Sequence, residues 1–533
     1  LKSFSFSAAC HSPLVAAAAT LLLLPTGKIF AQTPANLDAT FGSSGKVVTR
    51  DFGRGKDLLV QPDGKILLGG ETEVSGILNN EFAVIRYNTD GTLDSTFGTN
   101  GEAALNFDLY PSNYGSDDHV LTIALQPDGK ILAAGYTKGE NSDYAGTFLA
   151  IARFNADGSL DTTFGTDGKI KLRPSENLEI TYGIVSLALQ PDGKFIVAGA
   201  SSSGSVNQPH GDFYLARLNA NGTMDGTFGT GGTVTTHLLS DNSQAALRHI
   251  VLQPDGKIVL LGRDTGTDSD SNSEGGAVII RYNADGSLDD TFGSGGIVLS
   301  DTKSVALNAI GFDTASDAQI EPDGKIIVAE ESYLNTGTSQ AQLSSFLLRL
   351  NADGTRDDTF GTDGFITRSI VPATLPLVRR QADGKYLLGG TYDGTNLDFL
   401  LQRFNADGSI DSDFGTNHGY TGTDFQGGDD TAWAMLLQPD GNVVLGGSSG
   451  EHLAMARYDL TPVTTPDPTT TGTTITGTTT GGPSAADAAY QAKLEALNKK
   501  LKAAKKIPDP VARAKKLKAI KLKIKKLKQS HAG

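Results

Sequence analysis

One unit of about sixty residues is written seven times along this chain, and that repetition limits the fold to a ring or a stack of like units. The string QPDGK stands at Gln61–Lys65, Gln126–Lys130, Gln190–Lys194 and Gln253–Lys257. Near-copies follow at Glu321–Lys325, Gln381–Lys385 and Gln438–Asn442. Their glycines, Gly64, Gly129, Gly193, Gly256, Gly324, Gly384 and Gly441, lie 65, 64, 63, 68, 60 and 57 residues apart. A second motif follows each of the first six copies. It reads RYNTDGTLDSTFGTNG from Arg86, RFNADGSLDTTFGTDG from Arg153 and RYNADGSLDDTFGSGG from Arg281, with looser versions from Arg217, Arg349 and Arg403.

The cut points select the ring. The array opens at Leu37 with LDATFGSSG, the back half of the second motif, and closes at Arg457 with RYDL, the front half. The two ends complete one unit between them, whereas an open stack needs a polar cap at each end. Each unit reads as four short strands, in the first case Lys46–Thr49, Leu58–Gln61, Ile66–Gly69 and Phe82–Tyr87. Pro-Asp-Gly between the second and third has turn chemistry, with φ preset by Pro and positive φ supplied by Gly. Apolar runs such as Ile258–Gly262 and Phe195–Gly199 alternate weakly, as strands covered on both faces do. The predicted fold is therefore all-β, a seven-bladed β-propeller of four-stranded antiparallel blades over 36–460. A parallel β-helix is the rival, with shorter coils and no need for complementary ends.

These motifs resemble the delta-60 repeat family, bacterial repeat proteins whose units carry QPDGKI-l-v-a-G and R-y-n-x-D-G-s-L-D-x-t-F-G. The resemblance spans Leu37 to about Leu460 and implies a β-propeller. It implies no activity. The departures from the pattern are Thr355-Arg356-Asp357, Asn442 and the inserted His418.

In such a blade the connections alternate between two faces. The PDG turns and the D-G-x-x-D-x-T-F-G segments share one face and are nearly constant. The opposite face receives the loops that differ, among them Asn106–Asp118, Ser201–Asp212, Asp264–Gly276 and Glu331–Ser344. Loops on a rigid scaffold collect binding residues, so the variable face is the expected working face. Its aromatics, Tyr110, Tyr114, Tyr144, Tyr333, Tyr392 and the sole tryptophan Trp433, are the candidate ligand contacts, for stacking on a sugar or anchoring a protein. The bland reading is that they cover strand ends, or, for Trp433, that it is core.

Catalytic motifs are missing. No G-x-S-x-G elbow or P-loop stands at a strand-to-helix junction, and the eight histidines form no pair of metal-ligand spacing. The expectation is a protein that is not an enzyme, with no catalytic residue, no metal and no cofactor. Calcium is the minor alternative, because Asn155-x-Asp157-Gly158-x-x-Asp161 matches part of a calcium loop. Arg153 occupies the first ligand position, and a permanent cation there argues for an arginine fork that pins the turn.

The flanks differ from the array. Lys2, the apolar run Leu14–Leu24 and Ile29-Phe30-Ala31 read as a signal peptide over 1–31. The only cysteine, Cys10, precedes the apolar run, which excludes a lipoprotein reading. Residues 461–483 form a Thr-rich linker, and 484–530 read as a Lys-rich amphipathic helical hairpin broken at Pro508-Asp509-Pro510. From Ser484 onward 15 Lys or Arg face three acids, while the chain as a whole carries −15. Lys515, Lys516, Lys518, Lys521, Lys523, Lys525, Lys526 and Lys528 are the candidate contacts to an anionic envelope polymer or lipid surface. Lysine far outnumbers arginine there and Tyr490 is the single aromatic, so sequence-specific nucleic-acid reading is not expected. Together these features predict a secreted or cell-envelope binding module engaging a protein or glycan. The alternatives are a hydrolase- or lyase-type propeller with an axial site, or an architectural surface or matrix protein.

Overall fold

The computed structural model describes residues 36–460, except 50–52, 74–79, 109–115, 139–146, 174–177, 181–184, 204–210, 238–244, 265–275, 301–312, 336–340, 367–372, 394–395, 416 and 426. The signal peptide, the Thr-rich linker and the basic helical tail with its lysines lie outside the described residues, as do Tyr110, Tyr114 and Tyr144.

Seven antiparallel sheets follow one another along the chain, and each is a blade. The first contains Gly55–Val60, Ile66–Glu73, Asn80–Tyr87 and Glu102–Leu105. The strand that leads into each PDG turn is innermost, since these strands touch their counterparts in the neighbouring blades. The expected strand Lys46–Thr49 forms, but it is the outermost strand of the seventh blade, paired with His452–Asp459. The N-terminal strand thus closes the ring.

Seven wedge-shaped apolar cores hold the ring together, one at each junction between neighbouring blades. Each takes the phenylalanine of one D-x-T-F-G segment, and Phe41 fills that place where blade 7 meets blade 1. Second and third strands are apolar on both sides because a neighbouring blade covers each side. Gly211–Leu218, for example, is buried at every residue.

The repeat motifs explain the constant face. In the first blade Asp94 Oδ2 accepts hydrogen bonds from Arg86 Nε at 2.7 Å and from Lys65 Nζ at 2.8 Å. Arg86 Nη1 reaches on to the Ala156 carbonyl of the next blade at 2.7 Å. Its guanidinium also stacks over Phe97, and this arginine–phenylalanine contact recurs in all seven units at 4.4–4.7 Å. The calcium-like segment is used in the same way. Asp161 receives Arg153 at 2.8 Å and Lys130 at 2.6 Å, so the carboxylate is occupied by the arginine fork. At the closure the pair is split between the chain ends, with Arg457 Nε donating to Asp38 at 2.8 Å.

A second regularity shapes the inner strands. In six blades one or two unpaired residues form a bulge near the variable face, and in the third the corresponding residues, 181–184, lie outside the described ones. The unpaired residues are Lys56, Leu121, Arg248, Ser316, Leu375-Pro376 and Trp433. The bulge pushes a backbone carbonyl against the second strand. A Cβ on Gly135 would stand 1.8 Å from the His119 oxygen, so only glycine fits there. This is the physical reason for the glycine that ends the QPDGKI-l-v-a-G motif. Six blades keep it; the fifth carries Glu330 instead.

Candidate functional site

A bulge re-aims the side chains that follow it. Residues at the bulge and just after it, such as Lys56 and Asp57 or Arg248 and His249, are half-buried between fully buried neighbours. The residue four positions before the motif's first Gln or Glu is Asp57, Thr122, Ser186, His249, Asp317, Leu377 or Ala434 in turn round the ring. Asp57 in blade 1 and His249 in blade 4 interact electrostatically although their blades are not neighbours, which places both on the axis.

Three members of this belt join blades. Asp57 accepts the Ile123 amide at 2.9 Å, Ser186 the Ile250 amide at 3.1 Å, and Asp317 the Val378 amide at 2.9 Å. Each time the donor is in the next blade. Burial raises the Asp57 carboxyl above its usual range, against the Ile123 amide and the charge of His249. Arg379 Nη1 donates to Asp317 at 2.5 Å. His249 lies between the blades that flank its own. Its Nδ1 is 3.3 Å from Ser186 Oγ, and its Nε2 is 3.7 Å from Asp317 Oδ1. Ser186 is only 2% exposed, too buried for a nucleophile, whereas the His249 side chain is 38% exposed and can meet a ligand. The arrangement suits proton exchange by an imidazole held among carboxylates, not acyl transfer.

The mouth above the belt is polar and partly aromatic. Lys56 Nζ stands 3.6 Å from the centre of the Trp433 ring, and burial lowers its pKa against the charge of Glu71. Trp433 is half-buried on the inner strand of blade 7, not core, and its Nε1 has no hydrogen-bond partner. His119 bonds Glu71 through Nδ1 and Asp117 through Nε2 at 3.0 Å, and stacks on Tyr136 at 4.4 Å. Across the channel, Arg248 lies 3.6 Å from Glu331.

Of the aromatics expected at a ligand, Trp433 stands at this mouth. Tyr392 packs against the Ala373 and Leu400 pair of blade 6, and Tyr333 lies on the second strand of blade 5. Sequence reasoning missed Asp57, Ser186, His249, Asp317 and Arg379. Their fixed offset from the PDG turn was the available signal.

Six segments, 61–97, 126–164, 190–228, 253–292, 321–360 and 381–414, match a family described as a domain of unknown function (DUF5122) beta-propeller. The chain is a β-propeller repeat protein. No curated protein matches its sequence. Among solved structures it is similar to a Dyadobacter fermentans protein of unknown function, at 14% identity and a TM-score of 0.40 over 63% of this chain and 93% of that one. It is also similar to the polysaccharide lyase Uly1, at 12% identity and 0.45 over 83% and 94%. A third is the Penicillium chrysogenum alpha-L-arabinanase complexed with arabinobiose, at 13% and 0.40 over 63% and 92%. These likenesses concern the fold alone. The expectation that the chain is not an enzyme is nevertheless corrected. The solved structures it is similar to include a polysaccharide lyase and an alpha-L-arabinanase. Short catalytic motifs depend on one local turn, whereas a propeller draws each axial side chain from a different blade.

Proposed function

We propose that the axial mouth on the variable face receives a hydroxyl-rich ligand of the glycan class and exchanges a proton with it through His249. One observation carries this reading: an accessible imidazole is held on the axis between Asp317 and the Ser186 hydroxyl, with Asp57 facing it. The Lys56–Trp433 pair at the mouth supports it, a cation held on an aromatic ring beside the opening. Lys56, Glu71, Arg248 and Glu331 make the mouth charged, which suits a polar ligand better than an apolar one. The delta-60 resemblance of the repeats fits this reading without adding an activity. The signal-peptide pattern over 1–31 supports a place outside the cytoplasm for this reading, and the basic tail supports tethering to an anionic envelope surface.

The test is a panel of neutral and uronate polysaccharides, scored for new reducing ends and for unsaturated products. His249→Asn is expected to lower turnover about 100-fold or more while the melting temperature holds. Binding without turnover, lost in Trp433→Ala, would favour the pure binding module. A wild-type protein that neither binds nor cleaves any of them removes the proposal.

A further inference from the structure

The junctions between blades 1 and 2 and between blades 6 and 7 are built alike, with one exchange. In the first, Asn106 Nδ2 donates to Glu81 at 2.6 Å, Lys169 Nζ donates to the Asn106 carbonyl at 2.6 Å, and Asp118 accepts the Phe107 amide at 2.8 Å. In the second, Lys46 Nζ donates to the Asp424 carbonyl at 2.5 Å, and Asp430 accepts the Phe425 amide at 2.8 Å. Asp398 stands where Glu81 does, one residue before the paired phenylalanine of its strand. Asp424 stands where Asn106 does. A carboxylate has therefore replaced the amide donor, and three acids now converge.

Oxygen atoms of Asp398, Asp424 and Asp430 lie within 4.8 Å of one another. Asp430 is fully buried. Its Oδ2 takes the Phe425 amide, while Oδ1 has no hydrogen bond of good geometry, with the Ser449 hydroxyl alongside. Burial, and then the Asp424 charge, push Asp398 above the usual carboxylate range. Lys46 offsets one negative charge of the three, but its hydrogen bond goes to a carbonyl.

We propose that Asp398, Asp424 and Asp430 take up one hard divalent cation, calcium in class, in the place of the missing amide donor. The ligand set is oxygen only, which suits calcium over zinc. Oxygens bound to one calcium at about 2.3–2.6 Å stand no more than roughly 5 Å apart, as these do. This site is separate from the repeated turns, whose aspartates are held by arginine and lysine. It ties blade 6 to the blade that the N-terminal strand closes.

The experiment is calcium titration of the full chain, by calorimetry and melting temperature, for the wild type and Asp424→Asn. The wild type should bind one calcium at this site and melt about 2–4 °C higher with it. Asp424→Asn rebuilds the amide–carboxylate pair of the first junction. It should melt higher than the wild type without calcium and lose affinity at this site at least about tenfold, one lost ligand being worth a kcal/mol or more. Retention of the full calcium response in Asp424→Asn overturns the proposal. So does a wild type stabilised by acidification but not by calcium, which would mark a shared proton instead.

Discussion

The two faces of the propeller use charge in opposite ways. On the constant face one arginine–aspartate–lysine cluster is repeated from blade to blade, and its aspartates are held below their usual range. Asp225 is lowered chiefly by the hydrogen bond from Lys194 and then by Thr227. Among the described residues the axial positions change from blade to blade, and several groups are pushed the other way. Asp57, Asp118 and Glu330 are raised, chiefly by burial. Repetition has selected contacts that hold the ring, while the differing positions carry groups that are costly to bury. Costly, perturbed groups mark where a function resides.

The largest expected effect tests the constant face. Arg281 and Asp289 are 4% and 3% exposed and bond at 2.6 Å. Arg281→Ala leaves a buried carboxylate with Lys257 and the Thr291 amide and hydroxyl, without its guanidinium, and should cost about 3–5 kcal/mol in urea unfolding. Arg248→Ala, across the molecule, removes a looser pair at 3.6 Å and should cost on the order of 1 kcal/mol. Equal losses would break the contrast between a built frame and an adaptable face.

That contrast also explains what could be read in advance. Arg86 and Asp94 are eight residues apart in every copy of their motif, so one contact is written again and again and the ring was legible. The complementary ends at Leu37 and Arg457 foretold the closure that Asp38 and Arg457 make. The bulges were not legible, because Lys56, Arg248, Ser316 and Trp433 share no residue type. The glycine that accommodates them was visible, but its cause, a carbonyl from the inner strand, is a tertiary contact. His249, Ser186 and Asp317 come from three blades, one residue each and of different type, so their shared offset from the PDG turn announces a position but no chemistry. The acids of the blade 6–7 junction are equally scattered along the chain.

A smaller effect follows from Glu330, which replaces the motif glycine and is fully buried, with Ser300 as its hydrogen-bond donor at 2.8 Å. Burial, and then the charge of Asp313, push its carboxyl up to about 8 from 4.5. The folded protein therefore holds a proton that the unfolded chain has lost, and stability falls as pH rises from 4.5 to 8. Glu330→Gln keeps the shape and should flatten the melting temperature over that window. A slope unchanged in Glu330→Gln would place its origin elsewhere.

The smallest expected effect separates the faces by pH. His119 is buried, which alone would lower its pKa, but hydrogen bonds to Asp117 and Glu71 outweigh that and raise it to about 9 from 6.5. Below 6.5 the imidazole is charged in both folded and unfolded chains, and its pairing stabilises the fold fully. Between 6.5 and 9 the unfolded chain gives up the proton first, so this stabilisation fades with rising pH. The constant-face aspartates act at the other end, their contribution being lost only as pH falls below 3.8. Urea midpoints measured from neutral to pH 9 should therefore decline in the wild type and decline less in His119→Gln. Arg281→Ala should lower every midpoint while leaving that slope alone. If it changed the slope as His119→Gln does, the two faces would be electrostatically coupled, and the division of labour between them would fail.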